Sequence, residues 1–426
     1  MARRAVIVAG NRTPFVRAFG SFLPLDAIDL SVHAVRGLLD RTELDWKEID
    51  AIRWGGVILP SGAPNVGREI ALDIGLPHSV EAFTVTRACA SGLQAVTLAA
   101  AAIERGDADV IIAGGADSVS NARLELPASF VHKVAPVAMS RKSGAMDYFK
   151  VLGRISPLND LVPRKPEIAE RTTGEVMGEA AERMAERNGV TREEQDDLAL
   201  RSHHRAAAAV ASGRFSDEIG AVEVGGTKVY ADEIVRGDTS MEKLAKLRPA
   251  FKKGGTLTAG NSSALTDGAA AVLLMSEEKA KALGYTPLAA FRSWDYVAVD
   301  PADQLLMGPA LAMPGALQKA GLALGDVDVV DMHEAFAAQV LSVLKMMESK
   351  RFCEERLGLS HAVGEVDPAR LNLHGGSVAL GHPFGATGAR MVTTVANELH
   401  RTGAETAVLG ICAAGGLGAG AVLEAV

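Results

Sequence analysis

Cys89 lies at a place in this 426-residue chain where a side chain could do chemistry. In FTVTRACASGLQAV it joins a strand-like segment to a helix of residues 91–104 that is apolar nearly all round. Such a helix is buried. The unpaired N–H groups at its start favour a thiolate and can hold an oxyanion. This segment alone fits either a nucleophile or a small core cysteine.

Two further segments carry reactive side chains at glycine-rich turns. His382, in HGGSVALGHPFGATGAR, lies between a glycine and a proline in a loop that leads into a helix. It could act as a general base for a thiol, or be a loop histidine bonded to a carbonyl. Cys412, in ICAAGGLGAG, ends a buried strand. It suits an acid/base role, although a small residue at a crowded turn fits equally well.

A fourth segment, DMHEAFAAQ, places His333 and Glu334 at a predicted strand end before a helix. Two cysteines and two histidines raise the question of zinc. Because the chain has no C-x-x-C or H-x-x-x-H pair among them, and they lie in four separate loops, we expect no metal.

The composition predicts an α/β protein. Hydrophobic residues make up 48% of the chain and aromatics only 4%, and 44 glycines imply many tight turns. Three scattered cysteines do not make a disulfide framework, so we expect a reducing cytoplasm. The net charge of −8 argues against general nucleic-acid binding, and no apolar run suits a membrane span.

The chain also repeats itself. Residues 90–115 and 386–416 both give a small-residue turn, a helix, a glycine break, a buried strand and a glycine pair, with Gly92 matching Gly388 at an offset of 296 (388 − 92). This predicts a duplicated α/β unit. The charge-rich helical segment between the halves predicts an inserted lid, with a capping box at Thr191. The N-terminal half, the lid and the C-terminal half are then 1–120 plus 251–284, 121–250 and 285–426.

Residues 121–165 combine apolar residues with a basic excess. Three interpretations stay open: a membrane-surface or partner-docking element, a wall of an apolar channel, and an ordinary lid helix. The basic side chains are Lys133, Arg141, Lys142, Lys150, Arg154, Arg164 and Lys165, and the apolar ones among them are Met146, Phe149, Val151, Leu152 and Ile155.

Taken in order, the four segments resemble the thiolase family, and the similarity runs from GNRTPF to the C-terminal GAGAVLE. HEAF and CAAGGLG are most similar to the β-subunit branch of fatty-acid β-oxidation complexes. The resemblance implies a duplicated thiolase fold of five layers, αβαβα, with a helical loop domain over a coenzyme A site. It also implies a homodimer or homotetramer, a hydratase/dehydrogenase α-subunit as a further partner, and coenzyme A as co-substrate with no permanently bound cofactor.

The resemblance also assigns roles. Cys89 matches the acylated nucleophile, His382 its base, and Cys412 the acid/base cysteine. His333 stands where many thiolases have an asparagine that holds a catalytic water. The backbone N–H groups of Cys89 and Ala414 match an oxyanion site.

For coenzyme A, the resemblance assigns Ser263 to the pantetheine arm and Arg236 to the nucleotide. Val176 falls where many biosynthetic thiolases have a histidine that contacts pantetheine, which argues against acetoacetyl-CoA as the main substrate. Neighbouring basic residues suit an anionic ligand, or form a solvated lid face: Lys243, Lys246, Arg248, Lys252 and Lys253.

The implied activity is cleavage of 3-oxoacyl-CoA to acetyl-CoA and a shortened acyl-CoA. Three alternatives remain: a decarboxylating condensing enzyme, a biosynthetic acetoacetyl-CoA thiolase, and an inactive scaffold subunit. The presence of Cys412 favours a thiolase over a condensing enzyme. The complete set of Cys89, His382 and Cys412 argues against a scaffold.

Overall fold

The computed structural model describes residues 3–163 and 169–426. Arg164 and Lys165 of the basic segment lie outside the described residues. Two compact units divide the chain: Met1–Asn121 together with Glu170–Val426, and Ala122–Ala169.

The larger unit is built on a mixed sheet of ten strands within the described residues. The strand order is β10-β11-β12-β9-β1-β8-β5-β3-β4, with β2 beside β8, while β6 and β7 form a separate hairpin. The strands are β1 Ala5–Arg12, β2 Val16–Arg17, β3 Ala51–Gly55, β4 Glu81–Val85, β5 Val110–Asp117, β6 Val222–Val224, β7 Thr227–Val229, β8 Thr266–Ser276, β9 Ala289–Ala298, β10 Val329–Met332, β11 Thr406–Ala413 and β12 Leu417–Glu424.

The helices connect these strands in sequence order. They are α1 Ala27–Thr42, α2 Val66–Ile74, α3 Ser91–Arg105, α4 Ala128–Ala138, α5 Ala145–Leu152, α6 Pro157–Asp160, α7 Met177–Asn188, α8 Arg192–Ala211, α9 Met241–Ala245, α10 Glu277–Ala282, α11 Pro301–Gln304, α12 Pro309–Ala320, α13 Ala337–Glu348, α14 Lys350–Leu357, α15 Ser377–Leu380 and α16 Thr387–Thr402.

The duplication predicted from the sequence is present in the sheet. The order β1-β8-β5-β3-β4 of the first half is repeated as β9-β12-β11-β10, with the same parallel and antiparallel pairings. Helices α3 and α16 begin 296 residues apart (387 − 91), and so do β5 and β11 (406 − 110). In the second half, the position that corresponds to β4 has only one parallel bridge, between Val330 and Leu371.

The helices lie in three layers around the two half-sheets, as the predicted αβαβα fold requires. The largely buried helices α3 and α16 form the central layer, where Leu93 and Val392 share a core with Ile111 of one half-sheet and Leu409 of the other. Helices α1 and α2 cover the outer face of the first half-sheet, and α12 and α13 cover that of the second. Pairing of β1 with β9 joins the half-sheets along one edge.

The central helices meet at the two glycines that mark the repeat. A Cβ atom at Gly92 would lie 2.3 Å from the carbonyl oxygen of Gly385, and one at Gly388 would lie 2.4 Å from the backbone nitrogen of Leu93. Only residues without a side chain allow this approach. It brings the N-terminal ends of α3 and α16 together.

Residues 170–250 belong to the larger unit. The capping box of α8 forms as predicted, because Thr191 Oγ1 accepts from the Glu194 N–H at 3.2 Å and the Thr191 N–H donates to the Glu194 carboxylate at 2.6 Å. The division of the chain at 121 and 250 stays a prediction.

The smaller unit, Ala122–Ala169, contains α4, α5 and α6. Buried Asp160 holds it together, since its carboxylate accepts from Lys133 Nζ at 2.7 Å and from the Ser156 N–H at 2.6 Å. Phe149 and Leu152 are 69% and 62% exposed. The three interpretations of this segment therefore stay predictions. Within the described chain, no helix combines the length and apolar character needed to cross a bilayer.

Candidate active site

Cys89 lies in a tight turn between β4 and α3. Ala88 adopts the left-handed region at φ 45°, which is uncommon for a residue with a side chain. Ser91 holds the turn, because its Oγ accepts from the Arg87 N–H at 2.7 Å and donates to the Ala88 carbonyl at 2.6 Å. Helix α3 begins at Ser91, so the thiol lies at its start, as predicted from the sequence.

His382 lies in the loop between α15 and α16. Gly381 before it has φ 98°, and the His382 N–H donates to Thr266 Oγ1 at 2.8 Å. The ring is fixed at Nδ1, which lies 2.7 Å from Thr387 Oγ1, and by a T-shaped contact with Phe384. The ring is buried and cannot turn freely, which suits a base of defined orientation.

His333 follows directly after β10. Its N–H donates to the Gly410 carbonyl at 2.8 Å, and its Nδ1 lies 2.9 Å from Ser377 Oγ. The His333 and His382 ring centroids are 4.1 Å apart. The two imidazoles therefore form one buried pair.

The thiol joins this pair. One ligand atom from each of Cys89, His333 and His382 lies within 4.8 Å of the other two. The Nε2 atoms of both histidines are buried, and neither has a hydrogen-bond partner among the residues described. Thiolate and imidazole are zinc ligands. The distance between these residues along the chain was therefore not a sufficient argument against a metal, because the fold brings them together. That this site works without one stays a prediction.

Burial decides the protonation of the resting site. It raises the pKa of Cys89 to about 12, although the backbone N–H groups of Ala414 and Cys89 lower it. Burial and the charge of Arg390 lower the pKa of His382 to about 3. Burial, His382 and Arg390 lower that of His333 well below the usual range. Desolvation thus favours the neutral thiol over the thiolate expected from the helix start, although the Cys89 side chain is itself only half-buried.

The strand β11 carries the second cysteine. Cys412 is buried, and burial raises its pKa well above the ordinary value; a thiolate on Cys89 would raise it further. Ala414 follows in the glycine turn, and its N–H faces the Cys89 sulfur and lowers the pKa of that thiol. The thiol thus has a backbone donor where an oxyanion would form on an attacked carbonyl.

The residues assigned to coenzyme A lie in separate loops. The Ser263 N–H donates to the Ala335 carbonyl at 3.0 Å, beside the loop of His333. Arg236 is exposed, and its N–H donates to His203 Nδ1 at 3.2 Å.

Among the other basic residues, Lys243 pairs with Asp238 at 2.7 Å and Lys252 pairs with Glu186. Val176 is half-buried at the start of α7. The two paired lysines are less suited to a phosphate than the exposed Lys246, Arg248 and Lys253.

Sequence reasoning missed four residues that surround the site: Asp117, Ser377, Thr387 and Arg390. Three of them lie in the segment HGGSVALGHPFGATGAR that pointed to His382, and Asp117 follows the glycine pair of β5. The sequence did contain a signal for these residues, since each is a polar side chain inside a segment of small and apolar residues. Their partners could not be read from that signal, because they come from other segments.

Comparison with known proteins agrees with this fold. Residues 5–278 match the family model "Thiolase, N-terminal domain", and residues 285–425 match "Thiolase, C-terminal domain". The chain belongs to the thiolase family, whose members are acyltransferases.

Several curated relatives carry one name. The chain is 44% identical over 425 residues to a 3-ketoacyl-CoA thiolase of Shewanella pealeana, covering 99% of this chain and 97% of the relative. It is 46% identical over 427 residues to one from Escherichia coli O1:K1, with the same coverage.

Solved structures are similar over the whole chain. Human mitochondrial 3-ketoacyl-CoA thiolase in complex with CoA has a TM-score of 0.83 at 32% identity, covering 100% of this chain and 98% of that one. The acetyl-CoA acetyltransferase of Bacillus anthracis has a TM-score of 0.82 at 34% identity, covering 100% and 99%.

Proposed function

We propose that this protein is a 3-ketoacyl-CoA thiolase of fatty-acid β-oxidation, which cleaves 3-oxoacyl-CoA with coenzyme A to acetyl-CoA and a shortened acyl-CoA. The observation that carries the proposal is the approach of Cys89, His333 and His382 within 4.8 Å, beside a backbone donor from Ala414. The names of the full-length relatives support the same activity.

In the first half-reaction, Cys89 transfers its proton to His382 as its sulfur attacks the C3 carbonyl of the substrate. The N–H groups of Cys89 and Ala414 hold the oxyanion. The C2–C3 bond then breaks, and its electron pair forms the enolate of acetyl-CoA. His333 and His382 hydrogen-bond the enolate oxygen, and the Cys412 thiol protonates C2. The acyl group stays on Cys89 as a thioester.

In the second half-reaction, the Cys412 thiolate takes the proton of incoming coenzyme A. The coenzyme A sulfur attacks the thioester, and the acyl group leaves on it. Cys89 then regains its proton from His382, which restores both groups. Because both pKa shifts favour the neutral thiol and imidazole, the ion pair exists only during turnover.

Coenzyme A is the co-substrate in this proposal, and no permanently bound cofactor is required. Ser263 would contact the pantetheine arm, and Arg236 the nucleotide. The structure of a human relative is titled as a complex with CoA, which supports this ligand.

A homodimer or homotetramer is part of the proposal, with a hydratase/dehydrogenase α-subunit as a further partner. Strand β4 lies at the end of the sheet path, where another chain can add to it. All three cysteines are free, which suits a reducing cytoplasm. Light scattering of the protein alone and with a co-expressed α-subunit measures both assemblies.

The test follows product formation and the acyl-enzyme. With a 3-oxoacyl-CoA and coenzyme A, we expect acetyl-CoA and a shortened acyl-CoA, and mass spectrometry should find the acyl group on Cys89. Cys89→Ser should abolish transfer, because an alcohol there stays protonated. Near-normal turnover in Cys89→Ala would refute the assignment, and absence of both turnover and acylation would favour the scaffold alternative.

The biosynthetic acetoacetyl-CoA thiolase is the second candidate. It is favoured by the similarity to the Bacillus anthracis acetyl-CoA acetyltransferase. Values of kcat/KM for acetoacetyl-CoA and for a long-chain 3-oxoacyl-CoA separate the two. A preference for acetoacetyl-CoA would overturn the degradative assignment.

A further inference from the structure

The two active-site histidines have nearly the same polar surroundings. Each ring offers Nδ1 to a hydroxyl, from Ser377 for His333 and from Thr387 for His382. A neutral imidazole carries one N–H and one lone pair, and a hydroxyl can either donate or accept. These two contacts alone therefore leave both tautomers open.

Ser377 differs from Thr387 because it has a cationic neighbour. Arg390 Nη2 lies 3.4 Å from Ser377 Oγ. A guanidinium is always protonated and only donates, so Ser377 Oγ accepts from it. The oxygen keeps a second lone pair, but the positive charge orients the hydroxyl with its oxygen toward Arg390 and its hydrogen away from it, and His333 Nδ1 is the other partner of this hydroxyl among the described residues. That nitrogen becomes the acceptor, and the ring proton sits on Nε2.

Arg390 is held where it can do this. Its side chain is 1% exposed, and Nη1 lies 3.8 Å from the Asp331 carboxylate, two residues before His333 in the chain. A buried charge needs such a counter-charge. The cation is thus a fixed part of the interior, next to Ser377.

We propose that Arg390 and Ser377 are positioning residues that fix His333 as the Nε2–H tautomer. The inference rests on the proposed function. His333 then always presents a donor to the enolate oxygen. His382, whose Thr387 partner is free to accept from Nδ1–H, presents the Nε2 lone pair to Cys89. Of the two adjacent imidazoles, His333 is thereby the hydrogen-bond donor and His382 the base.

The first test is the tautomer itself. Nitrogen-15 NMR of the histidine-labelled enzyme at neutral pH should show His333 protonated at Nε2 and not at Nδ1, and His333→Asn identifies its signal. Ser377→Ala should give a mixture of tautomers, and Ser377→Thr should restore the single form. A wild-type spectrum with the proton on Nδ1 of His333 would overturn the proposal without any variant.

The second test separates two chemical steps. Ser377→Ala should slow exchange of the acetyl-CoA α-protons by about 10- to 100-fold, the cost typical of losing a partner that orients a metal-bound histidine. Iodoacetamide should alkylate Cys89 at the normal rate, because His382 is untouched, and Ser377→Thr should recover the exchange. Equal loss of both rates, or unchanged exchange, would contradict the proposal.

A control distinguishes this inference from the proposed function. If His333→Ala leaves α-proton exchange unchanged, the enolate role of His333 is wrong, and the proposed mechanism fails at that step. If His333→Ala slows exchange but Ser377→Ala does not, the mechanism stands and the positioning role is wrong. Thermal unfolding of each variant checks that the fold is retained.

Discussion

The backbone N–H of Gly385 donates a 2.7 Å hydrogen bond to the Oδ2 atom of Asp117. This bond ties the loop of His382 to the end of β5 in the opposite half. The other carboxylate oxygen accepts from the N–H groups of Val57 and Ile58 at 3.0 and 2.5 Å. One buried carboxyl group therefore holds three backbone donors.

Removing this carboxyl group should destabilise the protein. Asp117→Ala leaves three N–H groups without that acceptor, at about 1–3 kcal/mol for each group that stays buried and unpaired. We expect a loss of at least about 3 kcal/mol in the free energy of unfolding, measured by denaturant titration. The exposed Asp40→Ala is the matched control. Equal stability of the two variants would refute this role.

The same residue makes stability depend on pH. Burial raises the pKa of Asp117 to about 7, above its value of about 3.9 in an unfolded chain. The folded state thus holds a proton that the unfolded state releases. This contribution is complete below about pH 4 and is lost as the pH rises through about 7. Asp117→Asn should lack that loss over the same range.

The contact between the central helices gives the second prediction. Gly92→Ala would place a methyl group 2.3 Å from the Gly385 carbonyl oxygen, which is backbone and cannot simply turn away. Overpacking of this kind costs about 1–3 kcal/mol, so the midpoint of thermal unfolding should fall. Gly62→Ala, where nothing lies within 4 Å of the added atom, is the control. A comparable midpoint in both variants would contradict the contact.

The pKa values of Cys89 and His382 predict the pH dependence of alkylation. In His382→Ala the thiol alone must ionise, and since its pKa is about 12, the rate should rise by about tenfold per pH unit between roughly pH 6 and 9. In the wild type His382, whose pKa is about 3, is already neutral over this range and accepts the proton. The rate should therefore vary less. Identical slopes by labelled-peptide mass spectrometry would exclude His382 as the base.

Addition and removal of metal form the fourth prediction. A chelator should leave the activity of the purified enzyme unchanged, because no step of the mechanism uses a metal. Added Zn²⁺ should inhibit reversibly and slow alkylation of Cys89, since the thiol and two imidazoles lie within 4.8 Å. His333→Ala should weaken this inhibition. Loss of activity on chelation alone would contradict a metal-free mechanism.

The fifth prediction concerns the smaller unit. If it lines an acyl channel, each buried methylene adds about 0.8 kcal/mol, and kcat/KM should rise with acyl length beyond four carbons. Asp in place of Phe149 and Leu152 should remove that rise and spare short substrates. Leu72→Asp, at another exposed apolar site, is the control. A flat length profile in the unmodified enzyme would refute the channel. If the Phe149 and Leu152 variant also loses co-sedimentation with vesicles that the unmodified enzyme shows, membrane-surface docking is favoured instead.

The sequence by itself determined the local features and the family. These features depend on residues that are neighbours in the chain: the turn before Ser91, the glycine next to His382, and the helix and strand within each copy of the repeat. Local backbone preferences and hydrophobic patterns are encoded at that range. They placed Cys89 at a helix start and His382 in a loop, where the structure also has them.

Only the tertiary structure decided the chemistry between these segments. Cys89 and His333 are 244 residues apart (333 − 89), and packing of the duplicated halves brings their ligand atoms within 4.8 Å. The same packing buries the helix start, so desolvation raises the pKa of Cys89 to about 12 where the N–H groups alone would lower it. It also places Arg390 against Ser377, because the partners of a buried polar group are set by the fold around it.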